Sequence, residues 1–328
     1  MAEYKGIKGF NIQTVSSDPA NPLVGEVWYN STSATVKYFG VLSAGWSTGG
    51  NMGLARNKLA GCGTQTAALG FGGYNPVGGR TTSTEEYNGS AWTAGGNLPV
   101  AKEDLTGFGT QTAGVAAGGV IAGPPYHSNL TEEYNGSAWT AGGNLPLQQS
   151  RGMSCGTQTA GLYFGGSQPP YSAAYEYNGT SWTGGGTMSV DRKDAAGFGT
   201  QTAGVAAGGR GNPGVGNIIA STEEYNGTSW TAGGNLTAAT AEITGVGLQT
   251  AGLCFGGGYP IVATTELYDG SSWTTTSSMN TARRYLAGAG IQAAGLAFGG
   301  TLADNATRTA ATEEYSEGGP GTLTVGTD

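Results

Sequence analysis

The chain has 328 residues, of which 63 are glycine and 11% are charged, and its formal net charge is −8. So sparse and acidic a charge excludes a general nucleic-acid binder, which needs basic stripes to neutralise phosphates. No run of 18 apolar residues offers a membrane span.

In chain order, Met1-Ala2-Glu3-Tyr4-Lys5 carries no apolar signal segment. Residues 9–24 are polar, with Asp18-Pro19 and Asn21-Pro22, and read as an irregular arm. Gly25-Glu26-Val27-Trp28-Tyr29-Asn30 followed by Ala34-Thr35-Val36-Lys37-Tyr38-Phe39 reads as a two-stranded hairpin.

A repeat with a period in the forties then begins. A Gly-x-Gln element starts at Gly63, Gly109, Gly156, Gly199, Gly247 and Gly290, and Gly-Gly doublets follow, as at Gly118-Gly119. An acidic-Tyr element ends at Tyr87, Tyr134, Tyr177, Tyr225, Tyr268 and Tyr315. Tryptophans stand at Trp46, Trp92, Trp139, Trp182, Trp230 and Trp273. Such a period signals a propeller. In the second unit, residues 105–110, 113–117, 132–134 and 138–141 read as four short strands. The third and fourth are joined through Asn135-Gly136, a hairpin signal in which both turn residues are expected at positive φ. Four antiparallel strands describe one blade.

The hydrophobic run, Gly-Gly doublet and spaced Tyr and Trp, as in Phe164-Gly165-Gly166, Tyr177 and Trp182, resemble the kelch family of β-propellers over residues 40–316. The expected fold is all-β: a six-bladed kelch-like β-propeller of four-stranded antiparallel blades with an N-terminal arm and hairpin. No Trp follows Tyr315, and no Gly-x-Gln element precedes Trp46. A strand around Trp46 is therefore expected to complete and close the last blade. The expected division is 1–39 as a docking arm and hairpin, 40–316 as the propeller and 317–328 as a tail.

Cys62, Cys155 and Cys254 occupy strand positions filled elsewhere by Phe, Val or Ala, and read as small buried hydrophobes. Their odd number in separate blades argues against a disulfide framework and fits a reducing cytoplasm.

The connections after Gly-Gly differ from unit to unit: 74–84, 120–131, 167–174, 210–222, 258–265 and 301–312. Insertions on one face often mark a binding face. These loops carry Tyr74, Tyr126, His127, Tyr171 and Tyr259, candidate ligand contacts on mounts stiffened by Pro124-Pro125, Pro169-Pro170 and Pro260. Seven residues before each Gly-x-Gln element stand Arg56, Lys102, Gln149, Arg192, Thr240 and Arg283. With Arg151 and their charged neighbours they are expected to ring the mouth of a central channel, either as a solvated rim or as a site for a carboxylate or sulfated sugar.

Enzyme chemistry finds little support. His127 is the single histidine, which disfavours a Ser-His-Asp triad and most zinc sites. No metal and no cofactor is expected. Galactose oxidase shares the kelch propeller, but its copper ligands have no counterpart here. Sialidases set three arginines against a carboxylate, which Arg56, Arg151 and Arg283 would mimic, but the Asp-box pattern is absent. Glu85-Glu86 and its equivalents are adjacent on a strand and point to opposite faces. They read as structural, with one glutamate meeting a neighbouring blade.

The Trp-Tyr-Asn run resembles a segment of bacteriophage tail and fibre proteins. Coupled to this repeat, the opening is similar to kelch-type virion structural proteins of marine and cyanobacterial bacteriophages. That resemblance implies a non-enzymatic virion protein, assembled in the host cytoplasm, in a tail fibre or tail tip. It would dock to other virion proteins through residues 1–39 and bind a host-surface glycan by its variable loops. The alternatives are a capsid decoration protein, a free lectin-like propeller and, behind these, a sialidase-like hydrolase. A homo-oligomer is compatible with a fibre protein. Nucleic acid and membrane insertion are not expected.

Overall fold

The computed structural model describes residues 12–211 and 217–325. The protein is all-β: none of the described residues is helical, so no helix is long and apolar enough to cross a membrane. It divides into two compact units. One is Gly45–Ser316; the other combines Met1–Ala44 with Glu317–Asp328.

Among the described residues, Gly45–Ser316 forms six four-stranded antiparallel sheets. In the second, Thr106–Thr110, Ala113–Ala117, Thr131–Tyr134 and Trp139–Ala141 pair in chain order, within about a residue of the expected strands. The register sets Phe108 opposite Val115, Val115 opposite Glu133 and Tyr134 opposite Trp139. The sixth sheet takes its fourth strand, Gly45–Thr48, from the other end of the repeat, pairing Trp46 with Tyr315.

Turn chemistry differs from expectation at Asn-Gly. Only the glycine takes positive φ, as at Gly136 (90°), whereas Asn135 does not. Asn135 instead accepts the Ser137 and Ala138 N–H groups on its Oδ1, at 3.0 and 2.9 Å. This is an Asx turn closing a four-residue loop. Asp269 does the same with Ser271 and Ser272, which is why Asp can replace Asn there. A second glycine is required ahead of Gln. Gly109 sits at φ 104°, and a Cβ there would lie 2.2 Å from the Ala113 carbonyl oxygen.

The core lies between successive sheets. Phe71 of the first packs on Trp139 of the second with ring centroids 4.8 Å apart, among buried Leu69, Leu98, Ala116 and Tyr134. Cys62, Cys155 and Cys254 are free and buried. Three side chains then tie each junction. At this one, Trp139 Nε1 donates to Thr84 Oγ1 at 2.9 Å, Tyr134 donates its phenol to Glu86 at 2.6 Å, and Gln111 Nε2 donates to the carbonyls of Ala68 and Tyr87. The set recurs between the first and sixth sheets, through Trp92 to Thr312, Tyr87 to Glu314, and Gln65 to the Gly295 and Tyr315 carbonyls. Trp46, Trp182 and Trp273 likewise reach Thr265, Thr131 and Thr222. Trp230 donates to the Gly186 carbonyl instead, because Ala174 stands where the others have Thr. A buried large apolar side chain contributes about 2–3 kcal/mol and a neutral hydrogen bond about 1 kcal/mol. Burial therefore supplies most of the stability, and the polar ties set the spacing of the sheets.

In the smaller unit, Gln13–Val15, Val27–Asn30, Thr35–Leu42 and Gly319–Thr324 form one sheet in that order. Two sequence expectations change. The arm contains a strand, Gln13–Val15, parallel to Val27–Asn30. Within the expected tail, 317–328, the described strand Gly319–Thr324 pairs antiparallel with residues 37–42. The expected docking arm begins at residue 1, and its first eleven residues lie outside the described residues. Asp18 is the hub of this unit: its carboxylate accepts from Trp28 Nε1 (3.0 Å), Asn30 Nδ2 (2.7 Å) and Lys37 Nζ (2.8 Å). The Lys37 bond first, then those of Asn30 and Trp28, hold its carboxyl at about 2. This explains the Trp-Tyr-Asn spacing: alternate residues on one strand present Trp28 and Asn30 to the same carboxylate.

Candidate functional site

Five residues before each Gly-x-Gln element stand Lys58, Asp104, Arg151, Asp194, Glu242 and Tyr285. Each lies in the left-handed region, with φ between 53° and 58°. Each N–H is donated to the carbonyl of its counterpart in the preceding repeat, at 2.6–3.2 Å, and Lys58 N donates to Tyr285 O. The result is a continuous cycle of six backbone hydrogen bonds. Left-handed non-glycine residues are strained, and here every one is held by a bond on both sides.

Side chains build a second ring on this one. Lys58 pairs with Glu103 and Asp104 at 3.2 and 3.1 Å. Arg151 bridges Asp104 and Asp194 at 3.2 and 3.6 Å. Arg210 meets Asp194 and Glu242, and Arg284 meets Glu242 at 2.6 Å. The carboxylates lie deep and the cations above them: Asp194 and Glu242 side chains are 3% and 0% exposed, Arg151 29%. Burial, with Asp104 and Glu242 adding to it against Arg151, pushes the Asp194 carboxyl up to about 6. Burial, then Asp194 and Glu242, pushes the Tyr285 phenol up. The recess enclosed by this ring is about 120 Å³, well below the roughly 300 Å³ at which small-molecule pockets begin. Beyond it the wall is Gly61, Gly107, Ser154, Gly197, Gly245 and Gly288.

The cations expected at the channel mouth are elsewhere. Arg56, Lys102, Arg192 and Arg283 are fully buried and pair with Glu85, Glu132, Glu223 and Glu313 at 3.2, 2.6, 2.7 and 3.0 Å. Burial lowers the Arg56 guanidinium to about 10 against the pull of Glu85. It lowers Lys102, Arg192 and Arg283 too. They are structural pairs that the aqueous face does not reach, so Arg56 and Arg283 do not join Arg151 as a carboxylate clamp. The strand alternation explains it. In Glu85-Glu86 the first glutamate turns to the buried cation of its own repeat, and the second accepts the neighbouring Tyr134 phenol.

The aromatic loop residues are dispersed. Tyr126 is 57% exposed and Tyr259 50%, both at positive φ. Tyr259 has two guanidinium groups close to it, Arg210 4.3 Å and Arg284 5.3 Å from its ring centroid, and its hydroxyl accepts from Arg284 at 3.0 Å. Tyr74 lies 5.8 Å from Arg308. Tyr171 is partly buried, and its carbonyl accepts the Arg192 N–H. His127 Nδ1 lies 3.1 Å from Ser150 Oγ, and its Nε2 lies 2.9 Å from Gln168 Nε2. With Gln168 donating, the imidazole proton sits on Nδ1 and points at Ser150, so the imidazole is no base toward that hydroxyl. Burial, then Arg151, lowers its pKa. Among the described residues no group of three His, Cys, Asp or Glu side chains is placed to hold a metal ion.

Sequence reasoning missed the glutamine ties and the approach of Arg210 and Arg284 to Tyr259. A signal for the first was present: glutamine recurs in all six turns, and nothing in turn geometry asks for glutamine.

No family model and no curated protein matches the chain. Among solved structures it is similar to one titled "Structure of YjhT", with a TM-score of 0.66 over 80% of this chain and 95% of that one, at 12% sequence identity. The likeness is one of fold.

Proposed function

We propose that Gly45–Ser316 is a closed six-bladed kelch-like propeller, and that the protein is a non-enzymatic virion component, in a tail fibre or tail tip, that holds a host-surface glycan on its variable-loop face. The cycle of six backbone bonds and the recurrence of the Trp, Tyr and Gln ties between the first and sixth sheets support the closed ring. The virion reading rests on the opening hairpin joined to this repeat. The observation that carries binding over catalysis is the Arg210–Tyr259–Arg284 platform. A half-exposed ring with guanidinium donors beside it suits contact with a sugar, the ring by its apolar surface and the donors by its hydroxyls. The acids nearest it are already paired with cations.

Purified particles from the source, labelled with an antibody against Gly45–Ser316 and viewed by electron microscopy, test the setting. Label on the tail is expected; label over the head favours decoration. No label on any particle sinks the virion reading and leaves a free lectin-like module. A glycan array then tests the face: Tyr259→Ala is expected to lose at least tenfold in binding while the unfolding midpoint holds. Turnover of a chromogenic glycoside would overturn the non-enzymatic reading.

A further inference from the structure

The repeat supplies its own comparison at the buried ion pairs. In the first, second, fourth and sixth units a basic residue meets the first glutamate of the acidic-Tyr element. The third unit replaces both partners, with Gln149 and Tyr175, and stays neutral. The fifth replaces only the cation. Thr240 stands where Arg56, Lys102, Arg192 and Arg283 stand, while Glu266 remains and is 3% exposed.

Glu266 is held as its counterparts are. Its Oε2 accepts the Thr237 N–H at 2.8 Å, as Glu223 accepts from Ser189 and Glu313 from Asn280. Its Oε1 corresponds to the oxygen that takes the guanidinium in Glu223 and Glu313. Among the described residues no cation pairs with Glu266, whereas Glu132, Glu223 and Glu313 pair with Lys102, Arg192 and Arg283. The residue across from it in the register, Cys254, is a thiol that burial, then Glu266, holds well above its usual range, so it stays neutral and supplies no counter-charge. A buried carboxylate without a counter-charge is costly.

The lost guanidinium also leaves its carbonyl partners. Arg192 donates to the carbonyls of Ala206, Gly208 and Ser221, and Arg283 to those of Ala297, Gly299 and Ala311. The same register positions in the fifth unit are Cys254, Gly256 and Thr264. Thr240 lacks the outer atoms of Arg or Lys that would reach them.

We propose that the fifth unit binds a monovalent inorganic cation, sodium or potassium, between the Glu266 carboxylate and the backbone carbonyls of Cys254, Gly256 and Thr264. One carboxylate among neutral oxygens is balanced by a single positive charge. Lys102 Nζ, bonded to both oxygens of Glu132 at 2.8 and 2.6 Å, shows a compact monovalent charge serving at the equivalent place. Oxygen donors of this kind suit hard cations.

The test is thermal unfolding of the full chain in sodium, potassium or choline chloride at equal ionic strength. Sodium or potassium is expected to raise the midpoint by about 2–4 °C over choline, which is too large for the site. Glu266→Gln is expected to abolish that difference. Thr240→Lys, which supplies the ammonium internally, is expected to raise the midpoint in choline and also abolish it. Equal midpoints for the unaltered chain in all three salts would overturn the proposal, as would a Glu266→Gln protein that keeps the difference. Should Glu266→Gln fail to fold, Thr240→Lys decides alone: retention of the difference overturns the site.

Discussion

Tyr87 donates its phenolic proton to Glu314 at 2.5 Å, although the two residues are 227 positions apart in the chain. Tyr87 belongs to the first sheet and Glu314 to the sixth, so this bond is one of those joining the two ends of the repeat. Tyr87→Phe removes a charge-assisted bond and is expected to cost about 2 kcal/mol in urea unfolding. A double-mutant cycle with Glu314→Gln should show coupling of about 1 kcal/mol or more; additive effects would mean the bond contributes nothing. Burial first, then Glu314, pushes the phenol up to about 12. The contribution is complete below pH 10 and is lost as pH rises through 12.

Lys102 and Glu132 form a buried pair in which burial lowers the lysine and raises the glutamate. Lys102→Met strands the carboxylate and is expected to cost about 3–5 kcal/mol. Replacing both residues with Met is expected to cost clearly less, since neither charge then needs a partner. Gln149 and Tyr175 already make that exchange in the third unit. Chemical denaturation of the three proteins checks the order, and a double variant worse than the single would refute it.

Asp194 has its carboxyl raised from 3.8 to about 6. The folded state therefore holds a proton that the unfolded state has released between these values. The associated stability is present below pH 3.8 and lost as pH rises through 6, amounting to roughly 3 kcal/mol at most. Asp194→Asn should abolish this slope, so the variant gains on the unaltered protein from pH 4 to pH 7. Parallel pH profiles for the two proteins would show that Asp194 does not titrate there.

Asp18 shifts the opposite way, with its carboxyl lowered from 3.8 to about 2. Its contribution is present above 3.8 and lost as pH falls through 2. The Trp28 indole N–H resonance, which reports the bond to Asp18, is expected to titrate with a midpoint near 2. Asp18→Asn should remove that titration.

The repeat made the strands legible because each carries its own local signals, a glycine turn, an Asx loop and a Tyr-Trp cross-strand pair. Trp46 was legible as a missing part by arithmetic: six acidic-Tyr elements and only five tryptophans following them. The site was much less legible. Arg56, Lys102, Arg192 and Arg283 looked like a solvated rim because a charge at a repeat connection normally faces water. Their glutamates lie some 30 residues on, and only the sheet register brings the two together. Lys58, Asp104 and Arg151 stand just two residues further along, yet they form the ring, since the left-handed turn at that position redirects the side chain.

By itself the sequence determined an all-β chain of repeated four-stranded sheets, because strand period, glycine turns and aromatic pairing act within a few residues. It also determined that the last sheet is completed by a strand around Trp46, from the other end of the repeat. Tertiary structure alone decided which charges are buried and which face the solvent, why glutamine occupies every turn, and that Gly319–Thr324 pairs with the N-terminal hairpin. These depend on contacts between residues 24 to more than 200 positions apart. Electrostatic outcome there follows from burial and from the neighbour supplied by the next sheet, and neither is written in local pattern.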